Sequence, residues 1–131
     1  SPNLSKHTSF TYLFDGNSVF LYSIINKNEL PTVIEIRSTD FDKNGNDNKK
    51  EILFDLNNDG NKDNISCGFF PRWGDLINCR VNISIIGEIP IEFNSKRLGV
   101  LQSKINGLNM LVLDHDTILK FDLKSKKYVR L

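Results

Sequence analysis

The chain predicts an all-β fold: a single-domain antiparallel sheet, sandwich or barrel-like, with two calcium-type loops between strands and little helix. Three observations carry this. Short runs rich in Val, Ile, Phe and Tyr recur along the chain, each bounded by Gly, Asn, Asp or Pro. Turn signals separate these runs at regular spacing, as in sandwiches, barrels and blade-like sheets. No window sustains a 3.6-residue apolar period.

The elements follow in order. Residues 10–14 and 19–25 are aromatic and β-branched runs joined by Asp15-Gly16-Asn17, a hairpin signal. A turn at 26–31 leads to a strand at 32–38 (TVIEIRS). An acidic loop comes next, then a short strand at 51–54, then a second acidic loop. Strands at 65–70 and 76–86 flank the turn Pro71-Arg72-Trp73-Gly74. Residues 89–93 form a further strand, and Pro90, which has no N–H to donate, favours an edge position. The run 100–105 is ambiguous. Asn106-Gly107 is a turn, 108–113 and 117–123 form a hairpin around Asp114-His115-Asp116, and 128–131 is a terminal strand.

At 131 residues the chain is one domain, 1–131, by the usual size relation. A formal net charge of +1 supplies no global field to attract nucleic acid or an anionic membrane. Lys120, Lys124, Lys126 and Lys127 read as a solvated strand edge. No apolar run reaches the roughly 18 residues of a membrane span. The start at Ser1-Pro2, without Met, suggests a processed or trimmed chain. Cys67 and Cys79 flank the Pro71–Gly74 turn, so they can face each other across a hairpin. An even count fits a disulfide and an oxidising compartment, periplasmic or secreted. Without CxxC spacing or a His cluster, zinc and redox roles are disfavoured.

The two acidic loops carry the most chemistry. Calcium prefers six to eight oxygens, and on a tightly curved loop alternate residues converge on one point. Loop 1 offers Asp40, Asp42, Asn44 and Asn48 at offsets 1, 3, 5 and 9, Gly45 at offset 6, the Asn46 carbonyl at 7 and Glu51 at 12. Loop 2 repeats the register with Asp55, Asn57, Asp59 and Asp63, Gly60 at offset 6 and the Asn61 carbonyl. Its offset 12 is Ser66, a weaker ligand. Loop 1 has the full EF-hand spacing, yet its flanks, Val33-Ile34-Glu35-Ile36 and Ile52-Leu53-Phe54, prefer strands rather than the helices an EF-hand requires. Lys43, Lys49 and Lys50 weaken loop 1, whereas loop 2 sets three aspartates against Lys62 alone. The cofactor expected is therefore Ca2+, held chiefly in loop 2, as a structural ion: no acid or base stands beside either loop to make it catalytic.

Loop 2 and its flanks, ILFDLNNDGNKDNISC, resemble the calcium loops of FG-GAP and VCBS-type repeats, in which Asp-x-Asn-x-Asp-Gly-x-x-Asp joins two strands. The likeness covers residues 51–67, with a looser copy at 36–52. It implies Asp55, Asn57, Asp59 and Asp63 as ligands. A chain this short does not make the propeller of that family, so only the loop transfers. The loop, Cys67, the PRWG turn, Cys79 and the segment LGVLQSKINGLNMLVLDHDTILKFDLKSKKYV also resemble small exported bacterial β-domain proteins of the immunity and inhibitor type. That resemblance implies a periplasmic protein whose partner is a toxic hydrolase, such as a cell-wall-degrading effector delivered by a type VI secretion system.

Catalytic motifs are lacking. There is no Ser-centred elbow, no HExxH and no phosphate-cradling glycine loop. His7 lies in a polar stretch, and His115 between two acids reads as a hairpin tip. Most carboxylates sit in the two metal loops. Arg72 and Trp73, the sole tryptophan, form a natural contact pair if exposed. The expectation is a non-enzymatic binding protein, either an inhibitor of a toxic enzyme or, alternatively, a calcium-dependent adhesion or glycan-binding module. The second predicts an exposed aromatic platform near the metal.

Overall fold

The computed structural model describes residues 31–42, 48–115 and 117–131. It is an antiparallel β-sandwich rather than a closed barrel. The hairpin expected over 10–25 lies outside the described residues.

Nine strands are described: β1 Ile34–Arg37, β2 Lys49–Phe54, β3 Asp63–Phe70, β4 Leu76–Ile83, β5 Gly87–Pro90, β6 Arg97–Ile105, β7 Leu108–Leu113, β8 Thr117–Asp122 and β9 Lys127–Arg130. Among the described residues the only helical pieces are two 3-10 turns, Ser38–Asp40 and Pro71–Trp73. One sheet runs β1-β6-β7-β8-β9, the other β2-β3-β4-β5. Hairpin neighbours pair throughout, and the exception is β1, which lies on β6 through Ile34↔Val100.

Alternation explains the smaller sheet. In β3 the residues Asp63, Ile65, Cys67 and Phe69 are buried while Asn64, Ser66, Gly68 and Phe70 are not. In β4 Ile77, Cys79, Val81 and Ile83 are buried between more exposed partners. These inward residues meet Ile36, Leu98, Val100, Leu111, Leu113, Leu119, Phe121 and Tyr128 of the larger sheet in one core. Cys67 and Cys79 are register partners on this inward face, Cα atoms 4.0 Å apart, and are joined as a disulfide. Among the described strands β5 is an edge, in keeping with Pro90.

The larger sheet differs. All six residues of β7 are buried, and Leu101, Met110, Val112 and Ile118 form a second apolar cluster on its other face. The first half of β6, Arg97 to Leu101, is likewise buried without alternation, whereas its second half alternates. This strand also carries a bulge between Val100 and Lys104. The 76–86 run ends earlier than expected. The chain turns at Ser84-Ile85-Ile86, with Ile86 N–H donating to the Ile83 carbonyl, and leaves Ile85 78% exposed. Gly87, at φ 100°, takes the conformation this turn requires.

Arg97 opens β6 and is 4% exposed and ion-paired. Its Nε donates to Glu35 Oε1 at 3.0 Å and its Nη1 to the Asp114 carbonyl at 2.6 Å. Arg37 and Thr32 also donate to the Glu35 carboxylate. Desolvation works to raise the Glu35 carboxyl, but the bonds from Arg37, Arg97 and Thr32 outweigh it and hold the group below its ordinary 4.5. A carboxylate depressed on folding contributes stability above its unfolded value and loses it as pH falls through its folded one. Glu35→Gln should therefore cost about 2 kcal/mol at neutral pH, and the gap to wild type should shrink below pH 4.5. Urea melts of both proteins across that range test this, and a gap that stays constant counts against it.

Candidate metal centre

Loop 2 is the turn of the β2–β3 hairpin, from Asp55 to the first residue of β3, Asp63. Its curl is set by local chemistry. Asn58 at φ 58° and Gly60 at φ 91° sit in the left-handed region that Asn and Gly tolerate best. The side chains then turn inward. Asp55 Oδ1 accepts from the Asp59 N–H at 3.2 Å, and Oδ2 from the Gly60 N–H at 2.8 Å. Asp59 Oδ1 accepts from the Asn61 N–H at 2.9 Å. Asp63, 3% exposed, reaches back across the loop to accept from the Leu56 N–H at 2.8 Å.

The loop is anchored to the opposite sheet. Leu56 is fully buried, and its carbonyl accepts from the Asn109 N–H of β7 at 3.1 Å. Asn109 donates through Nδ2 to the Leu101 carbonyl, and its own carbonyl accepts from the Tyr128 hydroxyl. The acidic loop thus spans both layers of the sandwich. Asn109 was not singled out by sequence reasoning, because a lone Asn in an apolar strand carries no signal of what it will meet.

The electrostatics of the loop are unbalanced. Burial pushes the Asp63 carboxyl up, against the Leu56 N–H, and the nearby charges of Asp59 and Asp55 push it further. Desolvation also works to raise Asp55, but the Gly60 and Asp59 N–H groups outweigh it and hold that carboxyl below its usual range. Burial, and then the charge of Asp63, drive the Tyr128 hydroxyl well above the usual tyrosine value. The Oδ1 of Asn57, at offset 3, is buried and without a hydrogen-bond partner. A buried acceptor left bare costs about 1–3 kcal/mol. A cation would satisfy that oxygen and offset the repulsion among the carboxylates, so the donor set fits a hard divalent ion. Asp55, Asn57, Asp59, Asp63 and the Asn61 carbonyl are the groups that would hold it, with water completing the shell. The set mixes amides with carboxylates; among the described residues no three His, Cys, Asp or Glu side chains form a ligand group by themselves.

Loop 1 is described only at its two ends, since Asn44 and Asn46 lie outside the described residues. Asp40 Oδ2 accepts from the Arg37 N–H across the Ser38–Asp40 turn. Asp42 and Asn48 are exposed, and the Asn48 carbonyl accepts from the Phe69 N–H. Glu51 stands exposed on β2, facing away from the core. Because β2 separates the loops, they lie at opposite ends of the smaller sheet. Arg72 and Trp73 sit at the loop 1 end, in the turn between β3 and β4, and both are exposed. Gly74, at φ 91°, ends that turn with its N–H on the Pro71 carbonyl. His115 lies on the β7–β8 turn, as its flanking acids suggested; His7 and Asp116 lie outside the described residues.

No helix among the described residues is long and apolar enough to cross a membrane. Set against family models, curated proteins and solved structures, the chain matches none of them.

Proposed function

We propose that this chain is a calcium-braced, non-catalytic binding domain that works in an oxidising compartment, the periplasm or the cell exterior. The observation that carries the metal is the bare, buried Oδ1 of Asn57 among three aspartates whose spacing repeats the FG-GAP-like register. An ion there stiffens the β2–β3 turn and, through Leu56 and Asn109, holds the two sheets together at that end. The Cys67–Cys79 disulfide braces the same sheet and fits an environment that keeps cystines oxidised.

A second reading concerns the partner. Arg72 and Trp73 are exposed on the turn between β3 and β4, and Arg and Trp are the residues that most often dominate protein contacts. That favours capture of a protein such as a toxic hydrolase, in keeping with the immunity-protein resemblance.

The metal is tested by melting the protein with calcium and with chelator. A ligand bound only by the folded state stabilises it by about 2.7 kcal/mol at a hundredfold excess over Kd. For a chain of this size that raises Tm by ~10 °C. Replacing Asp55 or Asp59 by Ala should remove most of this rise, whereas replacing Asn58, which is off register, should leave it. Identical melts with and without chelator sink the proposal.

A further inference from the structure

We propose that the outward face of the β2–β5 sheet is a binding site for a neutral glycan. The proposal rests on the binding-domain reading above and gives Trp73 a glycan, instead of a protein, as its ligand.

Strand register assembles the site. On the outward face Lys49, Gly68 and Asn78 lie in one row, Glu51, Ser66 and Arg80 in the next, and Leu53, Asn64, Asn82 and Glu88 in a third. All of these residues but Leu53 line a groove of about 350 Å³, within the range of small-molecule sites. Its polar lining is three asparagines, one serine and four charged side chains. Lys49 and Arg80 are matched by Glu51 and Glu88, and Arg80 Nη1 meets Glu88 Oε2 at 3.4 Å. A lining with balanced charge does not select an anionic ligand. The Asn64, Asn78 and Asn82 side chains line the groove, and sugar hydroxyls both donate to and accept from such amides.

The end of the groove supplies the complementary apolar surface. Gly68, lacking a side chain, leaves space over which the Phe70 ring lies, its edge 3.5 Å from where a Cβ would stand. Trp73 stacks on Phe70 with ring centroids 4.4 Å apart and planes 14° from parallel. Trp73 nevertheless remains 59% exposed. A flat, supported indole is the surface on which the C–H face of a pyranose packs, since the ring face carries partial negative charge and C–H groups partial positive. A protein partner would favour an apolar interface core; on this face Leu53 is the one exposed aliphatic side chain among the described strand residues. The Trp73 end of the site lies roughly 23 Å along β3 from loop 2, whereas its Asn64 row adjoins Asp63 of that loop. The aromatic platform is therefore remote from the ion, in contrast to the arrangement expected from sequence.

The test uses the intact, disulfide-bonded chain. Cellotetraose, chitotetraose and mannotetraose are titrated by calorimetry and by the emission of Trp73, the sole tryptophan. At least one should bind with micromolar to millimolar Kd and shift the emission. Trp73→Ala should weaken it about tenfold or more, and Asn64→Ala should weaken it severalfold, while chelator leaves affinity unchanged. The proposal is overturned if none of the three binds at millimolar concentration, or if Trp73→Ala or Asn64→Ala binds as wild type. A chelator that removes both the calcium-induced rise in Tm and sugar binding overturns the independence of the two sites, whereas sugar binding with no calcium effect sinks the metal reading alone.

Discussion

Replacing Cys67 and Cys79 together by alanine should lower stability by about 3 kcal/mol, and Tm by ~10 °C. The two residues are 12 apart in sequence, so the bond closes a short loop in the unfolded chain, and the entropy it removes there sets most of the effect. For a domain whose total stability is on the order of 10 kcal/mol this is a large share. The double variant is the informative one, since a single change leaves an unpaired thiol in the core. Cys67 is 1% exposed and Cys79 3%. A reductant therefore reaches the bond only when the sheet opens, and reduction of the folded protein should follow the opening rate rather than the concentration of reductant. Equal melts for the double variant and wild type count against this account.

The cystine was legible because its neighbours alternate. In ISCGFF and LINCRVNI every second residue is apolar, so the inward face, the two cysteines on it and the turn between them follow from the period of a strand. The same alternation held the outward grid of Asn64, Ser66, Asn78 and Asn82. It went unremarked because polar residues at alternate positions read as solvent-facing, and only strand pairing shows that they share one groove. The larger sheet was legible as strands but not as an arrangement. Where β6 and β7 are buried on both faces, apolar runs carry no inside or outside, and the placement of β1 on β6 rests on contacts some sixty residues apart such as Glu35–Arg97. The burial of Arg97 was not legible either, because it depends on the carboxylate supplied by β1. Loop 2 showed its register in sequence, since offsets along a tight turn are local. Its docking on Asn109 was not visible, because that contact is between sheets.

Asp63→Asn should invert its effect on stability according to whether calcium is present. Without the ion, Asp63 is a buried carboxylate facing the charges of Asp55 and Asp59, and both burial and repulsion disfavour its ionised form. An asparagine of the same shape keeps an oxygen for the Leu56 N–H and removes the charge, so the metal-free variant should melt at or above wild type. With calcium the order reverses. A hard cation draws much of its affinity from carboxylates, and the variant gives up one of the three in the loop. Losing tenfold in affinity removes about 1.4 kcal/mol of calcium stabilisation at saturating metal, and a hundredfold loss removes twice that, so wild type should then melt ~5–10 °C above the variant. Crossing melting curves separate a metal site from an acidic turn: a turn held only by its hydrogen bonds would rank the two proteins in the same order at every calcium concentration. If Asp63→Asn melts below wild type by the same margin in chelator and in millimolar calcium, the carboxylate serves only the backbone of the loop, and the ion has no place in how the two sheets are joined.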